Sequence, residues 1–252
     1  MTQDSSLVQY LDGPQGRRLA YVAHAGRGPC IVFLSGYSSD MAGTKAVHLD
    51  AWARAQGRAF LRLDYSGHGQ SSEAFVDGCI GDWADDAEAI IRAVTDQPIV
   101  LVGSYMGGWI GCLLSKRLPR IVGFVGIAAA PDFTEDGLWA SFDVSQRARL
   151  MEDGILMVPS EYEAPYPVTR KIIEDGRDHL VLRSPLPMSW PVRLLQGTDD
   201  TDVPPAVAQA LLTHIEGADV RMALVKHADH RFSSPSCLRL IESTITEIAP
   251  LD

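Results

Sequence analysis

Cysteine is scarce in this sequence. Cys30, Cys79, Cys112 and Cys237 lie far apart, form no C-x-x-C pair and join no histidine cluster with zinc-ligand spacing. That excludes a zinc ribbon and a disulfide-stapled scaffold, and it reads as reduced, mostly buried thiols in a cytoplasmic protein. Long apolar runs are missing as well, and none approaches the roughly 18–20 residues that span a bilayer. The stretch Met1-Thr2-Gln3-Asp4-Ser5-Ser6 is polar and acidic, without the basic and apolar regions of a secretory leader. Positive charge is in deficit, with 22 Lys and Arg against 32 Asp and Glu and a net charge of -10. Nucleic acid is therefore not an expected partner, because phosphate binding needs clustered Lys and Arg. The acidic surplus reads as a solubility feature. Internal repeats and low-complexity segments are also absent.

What is present is the composition of a soluble domain, with 46% apolar and 21% charged residues. The 252 residues fit one α/β domain over 1–252, with room for at most a small cap. Short apolar runs ended by Gly, Ser, Asp or Pro read as buried strands: Cys30 to Leu34, Ala59 to Leu63, Ile99 to Val102, Ile121 to Ile127, Val192 to Leu195 and Arg221 to Val225. Helical patterns fall between them at Thr44 to Gln56, Trp83 to Val94, Gly107 to Arg117 and Pro204 to Ile215. Alternating helices and continuously apolar strands predict a doubly wound, mostly parallel sheet covered on both faces. One region, 131–187, breaks the rhythm. It contains no convincing strand and carries Trp139, Phe142, Met151, Met157, Tyr162, Tyr166 and several prolines, so it reads as a small helical cap.

Four segments carry chemistry. In Val100-Leu101-Val102-Gly103-Ser104-Tyr105-Met106-Gly107-Gly108-Trp109 an apolar strand runs through a glycine-flanked bend into a helix. This is the frame of a nucleophile elbow, where small neighbours let strand and helix approach around a strained residue. In Gln196-Gly197-Thr198-Asp199-Asp200-Thr201-Asp202-Val203-Pro204 a strand ends in Gly and acids follow; Asp200 has the spacing of a catalytic acid, with Asp199 read as a turn residue and Asp202 as a helix cap. His227-Ala228-Asp229-His230-Arg231-Phe232 follows the last strand, and His230, deeper in the loop, is preferred to His227. The remaining histidines, His24, His48, His68, His179 and His214, have no identifiable partner in the sequence. Finally, Leu34-Ser35-Gly36-Tyr37-Ser38-Ser39-Asp40-Met41 has the form of a loop that supplies a backbone N–H to an oxyanion.

Together with Gly43-Thr44-Lys45, Asp64-Tyr65-Ser66-Gly67-His68-Gly69 and Gly107-Gly108-Trp109, these segments resemble the α/β-hydrolases. More narrowly, they resemble the subfamily of the mitochondrial palmitoyl-protein thioesterase and acyl-glucuronide esterase, with its bacterial relatives. Nucleophile, acid and histidine occur in the order of that fold. The resemblance implies an α/β-hydrolase fold and hydrolysis of a carboxylic ester or thioester. It places the nucleophile at position 105, with Asp200 orienting His230 and the amides of Tyr37 and Met106 forming the oxyanion hole. Ser38, Trp109 and Trp139 would line a pocket for a small acyl or aromatic substrate. No metal or organic cofactor is implied.

The departure lies at position 105. The family pattern has serine there and this chain has Tyr105. A phenol is bulkier than a hydroxymethyl group and carries its oxygen further out, into the space an acyl carbon would occupy. Three readings follow: a hydrolase scaffold inactivated at its nucleophile; a repurposed fold in which Tyr105 and His230 serve a non-hydrolytic cyclisation, lyase or decarboxylation step as acid and base; and a binding protein that holds a ligand without converting it.

Overall fold

The apolar runs become the strands of one sheet, and two further strands precede them, the first largely exposed and the second half-buried. A computed structural model describes residues 7–159 and 165–251; Met1 to Ser6 and Tyr162, invoked above, lie outside the described residues. In chain order the strands are β1 (Gln9–Asp12), β2 (Arg18–His24), β3 (Arg27–Leu34), β4 (Arg58–Leu63), β5 (Ile99–Ser104), β6 (Ile121–Ile127), β7 (Ile155–Val158), β8 (Tyr166–Thr169), β9 (Leu186–Pro187), β10 (Val192–Gly197), β11 (Ile215–Glu216) and β12 (Val220–Val225). The helices are α1 (Thr44–Ala55), α2 (Ile80–Val94), α3 (Met106–Ser115), α4 (Val144–Asp153), α5 (Arg170–Asp178), α6 (Pro205–His214) and α7 (Pro235–Ile248). Eight strands form the main sheet in the order β1-β2-β4-β3-β5-β6-β10-β12. The pairings β1–β2 and β2–β4 are antiparallel, and every later pairing in this sheet is parallel.

β5 shows why the centre of this sheet is fixed. All six of its residues are buried. Ile99 and Leu101 pack into the core beneath α2 and α3, while Val100 and Val102 pack on the opposite face with residues of α1 and α7. Each such side chain contributes about 1.5–3 kcal/mol by leaving water, and a slip of one residue would exchange the two faces. β1 and β2 escape a search for apolar runs because β1 is largely exposed and both belong to an antiparallel edge ribbon. α7 is amphipathic; it buries Leu238, Ile241 and Ile245, and the Ser234 hydroxyl caps it by accepting from the Cys237 amide.

Between β6 and β10 the chain leaves the sheet. It forms a π-helical turn over Phe133–Trp139, then α4, the antiparallel hairpin β7–β8, and α5. The expectation that this region holds no strand is corrected by that hairpin. Its strands are four residues long and bury one side chain each, Leu156 and Val168, too little for a periodic signal. Pro167 also speaks against a strand, but a two-stranded ribbon leaves every second amide unpaired and can accommodate a proline. Asp132, at the root of the excursion, adopts φ 59° and is fully buried. Its carboxylate accepts from the amides of Val181 and Leu182 at 2.8 and 3.0 Å and from Arg183 Nη1 at 2.9 Å, tying the start of the excursion to its end.

Candidate active site

Tyr105 stands at the bend between β5 and α3 with φ 53° and ψ −114°, a conformation costing on the order of 1–3 kcal/mol. The surrounding glycines make the bend possible. A Cβ at Gly103 would lie 2.3 Å from the Gly107 carbonyl oxygen, and one at Gly107 would lie 2.1 Å from the Leu34 carbonyl oxygen. The bend is held by backbone bonds: the Tyr105 amide donates to the Ile127 carbonyl at 3.0 Å, and the Tyr105 carbonyl accepts from Gly108 at 3.0 Å and Ala130 at 3.2 Å.

Asp200 lies in the turn after β10, with a fully buried side chain. Its carboxylate accepts from the Val203 amide at 2.8 Å, the Asp202 amide at 3.1 Å and Gln196 Nε2 at 2.9 Å. His230 Nδ1 lies 3.0 and 3.1 Å from its two oxygens. Burial by itself would raise this carboxyl; the hydrogen bond and charge of His230, with the Val203 and Gln196 donors, hold it below its ordinary value. The His230 loop is anchored on both sides. Phe232 is fully buried, and Lys45 at the start of α1 donates to the Arg231 carbonyl. Burial pushes the Lys45 ammonium down to about 8, against the opposing pull of Asp229.

His227, the competitor, forms its own pair with Asp199 at 3.1 Å, but the two side chains are 73% and 54% exposed, against 15% and 0% for His230 and Asp200. Asp202 is not a helix cap. Pro204 occupies the cap of α6 without a side-chain bond, and Asp202 Oδ2 turns back to lie 3.7 Å from His230 Nε2. Tyr105 meets the imidazole edge-on, with ring centroids 5.1 Å apart at 88°, and its other neighbour is Phe133 at 5.0 Å. Burial raises the Tyr105 phenol well above its ordinary value, and the nearby Tyr166, Asp202, Tyr37 and Asp200 push it the same way. At neutral pH it is a hydrogen-bond donor and not an oxyanion.

The loop after β3 lies against this bend, and a Cβ at Gly36 would be 3.2 Å from that of Tyr105. The buried Asp64 holds the loop, accepting from the amides of Met41 at 2.7 Å and Gln70 at 2.8 Å, which accounts for Asp64-Tyr65-Ser66-Gly67-His68-Gly69. The Tyr37 and Met106 amides have no acceptor among the described residues. The Tyr37 hydroxyl donates to the Pro167 carbonyl at 2.7 Å, joining this loop to the β7–β8 hairpin.

A cavity of about 1180 Å³ opens at the bend, and its lining includes Tyr37, Tyr105, Phe133, Tyr166, His230 and Asp202. Ser38 is among the residues lining it. Trp109 and Trp139 are not. Trp109, in α3, is fully buried and donates Nε1–H to the His179 carbonyl at 3.0 Å. Trp139 is stacked between the guanidiniums of Arg147 and Arg177, 5.1 and 4.8 Å from its ring. The other histidines do have partners: His24 lies 3.2 Å from Asp50, His48 pairs with Glu242, His179 lies 3.4 Å from Asp175, His68 Nδ1 contacts the Ser66 carbonyl at 3.1 Å and His214 contacts the Val181 carbonyl at 3.0 Å. Among the described residues no His, Cys, Asp or Glu group could hold a metal ion. Sequence reasoning missed Tyr166, Lys45 and the orientation of Asp202; Lys45 was visible only as part of Gly-Thr-Lys.

The strand order, the strained bend after β5 and the aspartate–histidine pair from the loops after β10 and β12 define an α/β-hydrolase fold. A family model described as serine aminopeptidase, S33, matches residues 28–154. The human mitochondrial palmitoyl-protein thioesterase ABHD10 is 33% identical over 244 residues, 96% of this chain and 79% of that protein. A putative hydrolase from Agrobacterium vitis superposes with a TM-score of 0.92 at 36% identity, covering 96% of this chain and 98% of the other. Mouse alpha/beta hydrolase domain-containing protein 10 superposes with a TM-score of 0.88 at 31% identity, covering 96% and 97%. The chain belongs to the α/β-hydrolase family, in the branch that holds these ABHD10 thioesterases. Those curated relatives are mitochondrial by name, which overturns the cytoplasmic expectation. Buried free thiols do not distinguish one reducing compartment from another.

Proposed function

We propose that this chain keeps the acyl-binding apparatus of an ester or thioester hydrolase and is stopped at its nucleophile. Asp200 orients His230, the Tyr37 and Met106 amides receive an oxyanion, and the region 131–187 serves as the cap over the acyl group. The single observation that carries this reading is Tyr105 edge-on to the imidazole at 5.1 Å, where a serine would donate to it. A protonated phenol locked there is neither deprotonated nor in line to attack a carbonyl. The thioester preference is drawn from what the ABHD10 relatives are named for.

The test is turnover of p-nitrophenyl butyrate and of a short acyl thioester, with intact-mass measurement after a fluorophosphonate probe. Tyr105→Ser gains covalent labelling, and its kcat exceeds that of the Tyr105 form by roughly 10³-fold or more. Ordinary turnover by the Tyr105 form would sink the reading. A second reading is favoured by the intact Asp200–His230 pair, which a decaying scaffold need not retain. It makes Tyr105 and His230 acid and base in a non-hydrolytic step. Unchanged conversion by Tyr105→Phe in such an assay argues against it.

A further inference from the structure

Along β10, Val192 and Leu194 pack into the main core, and strand alternation turns Gln196 to that same face. The strand thus carries a primary amide at a fully buried position. Its Nε2 donates to Asp200 Oδ2 and to the Val203 carbonyl, both at 2.9 Å, with a longer contact to the Gly197 carbonyl at 3.4 Å. Its Oε1 has no partner among the described residues. The reverse orientation of the amide is excluded, because it would aim Oε1 at a carboxylate oxygen and a carbonyl. A buried carbonyl without a donor costs stability, so packing alone does not account for a glutamine here.

We propose that Gln196 is a positioning residue for the Asp200–His230 pair: it fastens the carboxylate to the sheet, so that the imidazole is presented to the bend at residue 105 in one orientation. The donors to Asp200 are not equivalent. The Asp202 and Val203 amides, 3.1 and 2.8 Å from Oδ1, belong to the same turn as the carboxylate and move with it. Gln196 belongs to a strand held against β12, where it stands opposite Leu224. Its bond to Oδ2 therefore refers the carboxylate to the frame of the sheet, and its bond to the Val203 carbonyl closes the turn from behind. His230 Nδ1 lies 3.0 Å from Oδ1 and 3.1 Å from Oδ2, so a carboxylate free to rotate would carry the ring with it. An amide suits the task because it offers two donors and adds no second negative charge beside the first.

The inference rests on the reading of Asp200 and His230 as the working pair of a hydrolase scaffold, yet its first test needs no turnover. The N–H that His230 gives to Asp200 is followed by proton NMR as a downfield imidazole resonance, assigned with isotope-labelled histidine and by its loss in His230→Gln. Gln196→Met keeps length and fills the same space without a donor. Gln196→Asn keeps the amide and draws it back by one carbon. In both variants that proton exchanges with water about tenfold faster than in the native chain, and the gain exceeds that of the β10 backbone amides. A native exchange rate in either folded variant overturns the inference. An equal acceleration of the β10 amides also overturns it, since that marks a purely structural residue. In a Tyr105→Ser background, Gln196→Met lowers kcat for p-nitrophenyl butyrate by about tenfold and leaves KM within about twofold. An undiminished kcat there overturns the inference as well. A silent Tyr105→Ser chain would instead end the hydrolase reading, and the NMR comparison would still decide what Gln196 does to the pair.

Discussion

Two aspartate–histidine pairs sit side by side at the carboxyl edge of the sheet, drawn from the same two loops. Asp199–His227 and Asp200–His230 match in residue type and nearly in distance, 3.1 and 3.0 Å. They differ in surroundings. The first pair is open to water, where an ion pair is worth about 0–1 kcal/mol. In the second, the carboxylate is sealed from solvent and takes three further donors, so its position is fixed and its removal strands the groups that point at it. Residue identity alone therefore does not mark a catalytic pair; the donors behind the carboxylate do.

The comparison can be broken most sharply by activity. In a Tyr105→Ser background, Asp200→Asn lowers kcat for p-nitrophenyl butyrate by about 10⁴-fold, because the imidazole loses its tautomer. Asp199→Asn in the same background changes kcat by less than about twofold. A comparable loss from both substitutions would erase the distinction drawn here. Stability gives the next largest contrast. By urea denaturation, Asp200→Ala costs about 2–4 kcal/mol, as buried donors go unsatisfied, whereas Asp199→Ala stays within about 0.5 kcal/mol. The smallest effect is in acid. The Asp200 carboxyl is depressed in the fold, so its contribution is complete above the unfolded value of about 3.9 and is lost as pH falls through the folded one. Between about pH 5 and pH 3 the native chain therefore loses more stability than Asp200→Asn, measured as the shift in urea midpoint. A parallel decline in the two would remove Asp200 from the acid response.

Much of this was open to reading from sequence, and the reasons differ by region. β3, β5 and β6 are buried on both faces over most of their length, so each announces itself as an apolar run; β10 is buried too, although Arg193 and Gln196 interrupt its run. The bend at Tyr105 is marked by glycines that no Cβ could replace. Asp200 and His230 follow from their places after β10 and β12. The excursion was less legible. Its hairpin buries one side chain per strand, and the orientation of a tryptophan cannot be read from its position: Trp109 turns into the core and Trp139 into an arginine clamp. The Asp202 side chain reads as a cap because acids before Val-Pro commonly cap helices; its orientation toward His230 depends on the winding of a turn three residues long.

Asp132 has a consequence for how this molecule could diversify. One buried carboxylate fastens residue 132 to residues 181–183 and closes the excursion at its base. The stretch between is also bound to the body of the domain, through Tyr37 to the Pro167 carbonyl, Trp109 to the His179 carbonyl and the Gly81 amide to Asp175, and it lends Leu150, Leu156, Ile172 and Ile173 to the main core. A change in its length or sequence would therefore act on the walls as well as the roof, so that new ligand choices in such a chain come coupled to its stability.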